Sequence, residues 1–154
     1  MKKWLKIALI AVVAFLVVAQ FIRPSRANPP IDPTKSLAAT TPVPPNVQQT
    51  FERACYDCHS NATVWPWYSN VAPVSWLLVD DVKDGRKEVN FSEWAGYTQK
   101  RKLRKLKEIC DQVKEGDMPL KKYVPLHPAS KLSDADRAAI CDWAKAEAKR
   151  EGGK

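Results

Sequence analysis

The longest apolar run lies at the start of the chain. Ile7 to Ile22 is apolar at every position but Gln20, after a basic lead of Lys2, Lys3 and Lys6 and before Arg23-Pro24. With Trp4 and Leu5 it approaches the roughly 20 residues that a membrane helix needs. The pattern predicts an N-terminal membrane helix over residues 1–23, either a signal anchor or a cleaved signal peptide. Neither cleavage site is good. Val17-Val18-Ala19 is followed by bulky Phe21 and Ile22, and Ser25-Arg26-Ala27 carries an arginine far from the apolar centre. A retained anchor is the reading adopted. The three lysines favour the cytoplasmic side, which puts the rest of the chain outside the cytoplasmic membrane; Arg23 and Arg26 oppose that bias.

Residues 24–45 hold seven of the twelve prolines, interleaved with Ala, Thr and Ser. Such a stretch favours extended polyproline segments and predicts a disordered spacer reaching roughly 60 Å. Residues 46–150 carry the periodicity of a folded domain. Val47, Phe51, Ala54 and Cys58 share one helical face, with Asn46 expected as N-cap. Residues 61–79 are aromatic and broken by Pro66 and Pro73, which predicts loop and short helix. Asn90-Phe91-Ser92-Glu93 resembles a capping box, and from there to Glu115 the pattern is helical. Leu103, Leu106, Cys110 and Val113 form its stripe, and Gly116 ends it. An irregular loop over 116–132 leads to a last helix opened by Ser133-Asp134-Ala135-Asp136, with Ile140, Trp143 and Ala144 inward. No strand alternation is present, so the expected class is all-α.

Charge narrows the partners. Of the formal +8, residues 1–26 contribute +5 through Lys2, Lys3, Lys6, Arg23 and Arg26, leaving +3 for the remainder. That balance disfavours nucleic acid. The basic run Lys100–Lys107 reads as a solvated helix face, or as a dock for an acidic redox partner. Four cysteines in an exported chain suit an oxidising compartment. Cys110 and Cys141 are a candidate disulfide.

The other two cysteines carry the chemistry. Cys55-Tyr-Asp-Cys58-His59 is C-x-x-C-H, the attachment sequence for covalent haem c. Two thiols on one turn can form thioethers with the two vinyl groups of one haem, and the adjacent imidazole can reach the iron. A zinc site or a redox dithiol would use the same thiols. Neither has its usual context here, because there is no second close Cys pair and no βαβ pattern. A sixth iron ligand can come from Met118, the sole methionine besides Met1, set before Pro119 in a loop. His127, the only other histidine, is the alternative distal ligand. An open sixth position would suit gas binding or peroxidase-like chemistry. Trp65, Trp67 and Tyr68 follow the motif and are candidate walls of a haem pocket.

These segments resemble the bacterial haem-binding domain family, small membrane-anchored proteins with one C-x-x-C-H motif. The resemblance rests on Cys55 to Asn61, Trp65-Pro-Trp67-Tyr68, Ala72-Pro73-Val-Ser75-Trp76, Asn90 to Trp94, Met118-Pro119-Leu120, Tyr123, His127-Pro128-Ala129 and Trp143. It implies a cytochrome c-like domain on the periplasmic side of the inner membrane, with Cys55, Cys58 and His59 holding one haem c. The expected function is single-electron transfer with redox partner proteins, more a carrier than an enzyme; the alternative is an open-site haem protein.

Overall fold

The structure is a computed structural model and describes residues 2–152. Met1, set aside above as a ligand, lies outside them. Among the described residues there are seven α-helices and no strand: α1 Lys2–Ala19, α2 Leu37–Thr40, α3 Pro45–Ala54, α4 Tyr56–His59, α5 Val74–Glu88, α6 Gln99–Glu115 and α7 Asp134–Gly152. Short 3-10 turns connect them at Pro33–Lys35, Trp67–Asn70, Phe91–Gly96, Val124–Leu126 and Pro128–Ser130.

The most extensive packing is between α6 and α7. Leu106, Cys110 and Val113 of α6 are buried against Ile140, Cys141, Trp143 and Ala144 of α7, as helical periodicity requires. A disulfide joins Cys110 to Cys141. Gly116 closes α6 at φ 79°, a left-handed conformation that side-chain-bearing residues rarely adopt. Ser133 and Asp136 open α7 with a reciprocal cap: Asp136 N–H donates to Ser133 Oγ at 3.1 Å, and Ser133 N–H donates to the Asp136 carboxylate at 2.8 Å. Phe51 of α3 completes the core, stacked on Phe91 with centroids 5.1 Å apart and meeting Trp143 edge-on at 5.3 Å.

Four expectations need correction. Asn46 is not the cap of α3; Pro44 takes that position and Pro45 is the first helical residue, where a missing N–H costs nothing. The helix expected from Asn90 to Glu115 is two elements. Asn90 caps a short turn, the chain then extends at Tyr97, and α6 starts afresh with Thr98 Oγ1 accepting from Arg101 N–H. Residues 61–79, read as loop and short helix, instead run at Val74 into the 15-residue α5, which continues to Glu88.

The fourth correction concerns residues 24–45. They are not a free spacer. Asp32 and Ser36 cap two short helical turns, and Leu37 is fully buried in the core. Asn61 Nδ2 donates to Pro30 O at 3.1 Å, Asn28 Nδ2 to Thr63 O at 2.9 Å, and Trp143 Nε1 to Pro42 O at 2.9 Å. Prolines made the stretch extended, but an extended chain with accessible carbonyls and one buried leucine can lie along a domain as readily as away from it.

The apolar run does form a helix, α1, whose side chains are exposed along its length as far as Val18. It has 18 residues and includes Lys2, Lys3 and Lys6. No helix among the described residues is long and apolar enough to cross a membrane.

Candidate functional site

The site begins with a break in the backbone. α3 ends at Ala54, and Cys55, at φ −127° and ψ −39°, bends the chain into the single turn of α4. The N–H groups of Cys58 and His59 both donate to Cys55 O, at 3.1 and 2.9 Å. One tight turn therefore carries both thiols and the imidazole. All three line a cavity of about 610 Å³ between α3, α5, α6 and the loop after α6.

Helix α5 presses on this turn from behind. A Cβ at Gly85 would lie 2.7 Å from Cys58 O, so only glycine permits the approach. The closeness brings Gly85 O to 2.9 Å and Val89 O to 3.1 Å from His59 Nδ1. Two carbonyl acceptors require a proton on Nδ1, which leaves the lone pair on Nε2. Burial pulls the His59 pKa down, against the opposing pull of the two carbonyls and Glu88. The neutral imidazole thus favoured is the form that binds a metal. Burial also pushes the Cys55 thiol up to about 12 and the Cys58 thiol up to about 11, so both stay protonated in the bare protein.

Polar contacts hold the turn in place. Asp57, between the cysteines, accepts from Val64 N–H at 3.0 Å and from the Tyr123 hydroxyl at 2.9 Å. Arg86 of α5 donates to Ser60 O and Thr63 Oγ1, both at 2.8 Å. Asn61 donates through its backbone to Ser92 Oγ at 3.0 Å and accepts from Asn90 Nδ2 at 2.8 Å. The segments around residues 60 and 90, far apart in sequence, are thereby one scaffold.

The rest of the wall comes from α6 and its loop. Ile109 and Val113 supply apolar surface, followed by Met118, Pro119, Leu120 and Tyr123. The N–H groups of Gly116, Asp117 and Met118 all converge on Gln112 O, which fixes the loop at the end of the helix. Met118 therefore shares the cavity with His59. His127 does not line it. Its ring stacks on Tyr123 at 3.9 Å and 13° and meets Tyr68 at 5.9 Å, so Tyr123 stands between it and the cavity.

Trp65, Trp67 and Tyr68, expected as pocket walls, lie off the cavity. Trp67 is 78 % exposed, Trp65 has a buried indole N–H without a hydrogen-bond partner, and Tyr68 faces His127. Proximity in sequence misled here, because the backbone turns away at Asn61 to meet Ser92. Sequence reasoning gave no part in the site to Gly85, Val89, Tyr123 or Lys105. The first two act through backbone carbonyls, which carry no residue signature. Lys105 belongs to the run read as solvated, yet its side chain is only 6 % exposed and pairs with Glu88 at 3.0 Å and Glu108 at 2.5 Å. Its spacing to Ile109 and Gln112 was the available signal.

The cavity suits a broad, mostly apolar group with one nitrogen ligand and one thioether, and its volume is in the range of cofactor pockets. It does not suit a bare ion. Among the described residues no group of three or more His, Cys, Asp or Glu side chains could hold one. A haem fits these features: His59 Nε2 for iron, two thiols beside it, and apolar walls. Neither a curated protein nor a solved structure matches the chain. The model of a haem-binding domain matches residues 14–146, most of the length. The chain belongs to the haem-binding domain family.

Proposed function

We propose that the protein binds one covalent haem c and transfers single electrons on the periplasmic face of the bacterial inner membrane. One observation carries this: His59, its Nδ1 proton committed to two α5 carbonyls, shares a cavity with Cys55, Cys58 and Met118. Bound there, haem supplies an iron that alternates between ferrous and ferric states. The protein's part would be to orient His59, keep water from the apolar walls, and offer the Met118 thioether to the iron. Thioether ligation and apolar burial both raise the potential, because they disfavour the additional charge of ferric iron. His127, behind Tyr123, is the weaker distal candidate, and no other histidine is available as a distal acid–base group. That favours a carrier over a peroxidase-like site.

Membrane attachment belongs to the same proposal. Helix α1 exposes Leu9, Ile10, Phe15, Val17 and Val18, among others, which together form an apolar surface that a water-soluble protein rarely displays. We read it as seated in the bilayer. Partners are then membrane or periplasmic redox proteins, meeting the domain through small, brief contacts.

The test is mass and spectrum. Protein from a host with haem-maturation machinery should stay heavier than its polypeptide by one haem after acid–acetone extraction. A mass equal to the bare chain would remove covalent attachment. Met118→Ala should alter the spectrum of the ferric protein; an unchanged spectrum would remove Met118 as ligand. Rapid stoichiometric carbon monoxide binding to the reduced protein would favour the open-site alternative.

A further inference from the structure

We infer that the domain docks on the bilayer rather than swinging on its anchor, through an apolar surface formed by Trp67, Val71, Val74 and Leu77 around the foot of α1. The inference rests on the reading of α1 as membrane-seated.

The foot of α1 is clamped. Ala19 is buried against the domain, although the rest of the helix is exposed. The Gln20 side-chain amide bonds the backbone of Ala72 in both directions, donating to Ala72 O at 3.1 Å and accepting from Ala72 N–H at 3.0 Å. Trp76 Nε1 donates to Ile22 O at 2.7 Å, and Arg26 donates to Ser69 Oγ at 2.9 Å. Four hydrogen bonds thus join one corner of the domain to residues 20–26, just after the helix. A flexible hinge at this point would have none.

The same corner is apolar on its open side. Trp67, Val71, Val74 and Leu77 are exposed there, and Phe21 and Ile22 are exposed beside them at the end of α1. Scattered surface apolar residues need no explanation. These flank Ser69, Ala72 and Trp76, the groups that are bonded directly to residues 20–26. They also continue the apolar surface of α1 itself. That continuity is what selects a lipid surface as the occupant.

Length points the same way. The uninterrupted apolar part of α1, Ile7 to Ala19, covers about 20 Å at 1.5 Å per residue, well short of the roughly 30 Å hydrocarbon core. A short apolar segment draws its flanks into the interface. Tryptophans stand at both ends, Trp4 at one and Trp67 and Trp76 at the other, the placement that amphipathic rings favour at a membrane–water boundary. Arg23 and Arg26 at the foot suit anionic lipid, and the acids of α5 begin only at Asp80, beyond Leu77.

The experiment uses the full chain in vesicles of phosphatidylethanolamine and phosphatidylglycerol doped with a diazirine-bearing phospholipid. Lipid adducts are mapped by mass spectrometry after irradiation. Adducts on Trp67, Val71, Val74 or Leu77, in addition to α1, are the expected result. In Gln20→Ala, adducts on residues 67–77 should fall to the level of the domain's far side while those on α1 persist. Adducts confined to α1 in the unaltered chain would overturn the docking and leave the anchor standing. An absence of adducts anywhere would overturn the anchor reading itself. An absence of lipid adducts at residues 67–77 together with a dimeric chain in detergent, by light scattering, would assign the surface to a second copy and overturn the inference.

Discussion

Gly85 carries more of the site than its size suggests. Replacing a mid-helix glycine with alanine ordinarily gains close to 1 kcal/mol. Here the new methyl would meet Cys58 O at 2.7 Å, with backbone on both sides and no flexible end to yield. Overpacking of that kind costs about 1–3 kcal/mol, so it outweighs the gain. Gly85→Ala should lower the melting temperature and reduce the haem bound per chain, measured together by thermal unfolding and absorbance. A stabilised, fully loaded variant would refute the close approach. The residue scale is also where the sequence was most readable. Cys55, Cys58 and His59 fall within five residues, so a single helical turn is enough to bring them together. The acceptors that orient His59 are carbonyls of residues 26 and 30 positions away, and nothing in a side-chain pattern announces a carbonyl.

At the scale of elements, α6 and α7 were legible because each has one unbroken apolar stripe. Helix α5 was not. Its buried positions, Ser75, Leu78, Val79 and Val82, begin with a serine, and Asp80, Asp81, Asp84 and Gly85 dilute the rest. Its pairing with the turn of α4 supplies what its own pattern lacks. The α6–α7 pair is fastened by the Cys110–Cys141 disulfide, which closes a loop of sequence separation 31. In the chain-entropy model such a loop contributes roughly 3–4 kcal/mol. Cys110→Ser with Cys141→Ser should lower unfolding free energy by about that amount in denaturant titrations, and a reducing agent should do the same to the unaltered protein.

The start of α7 has a pH signature. Burial pushes the Asp136 carboxyl up, but hydrogen bonds from the Ser133 backbone and hydroxyl and from Arg53, with the Arg53 charge, prevail and hold it at about 2. A carboxyl depressed on folding stabilises the native state above its unfolded pKa of 3.8 and loses that contribution as pH falls toward 2. Acid unfolding of Asp136→Asn should therefore show a smaller loss between those two values than the parent chain. Equal slopes would mean that the cap and the Arg53 pair contribute nothing measurable.

For the molecule as a whole, composition drew the wrong border. Proline content separated residues 24–45 from the domain, whereas burial of Leu37 and the bonds at Asn28, Pro30 and Pro42 attach them to it. A fully buried leucine is worth about 1.5–3 kcal/mol, before the lost hydrogen bonds are added. A chain begun at residue 46 should therefore melt well below one begun at residue 28, as scanning calorimetry of the two would show. Equal melting temperatures would return the segment to the status of a spacer. The practical corollary concerns anyone wanting this domain freed from lipid. The scissors belong upstream of the prolines, and grafting the globule onto a foreign leader means carrying that strap along with it.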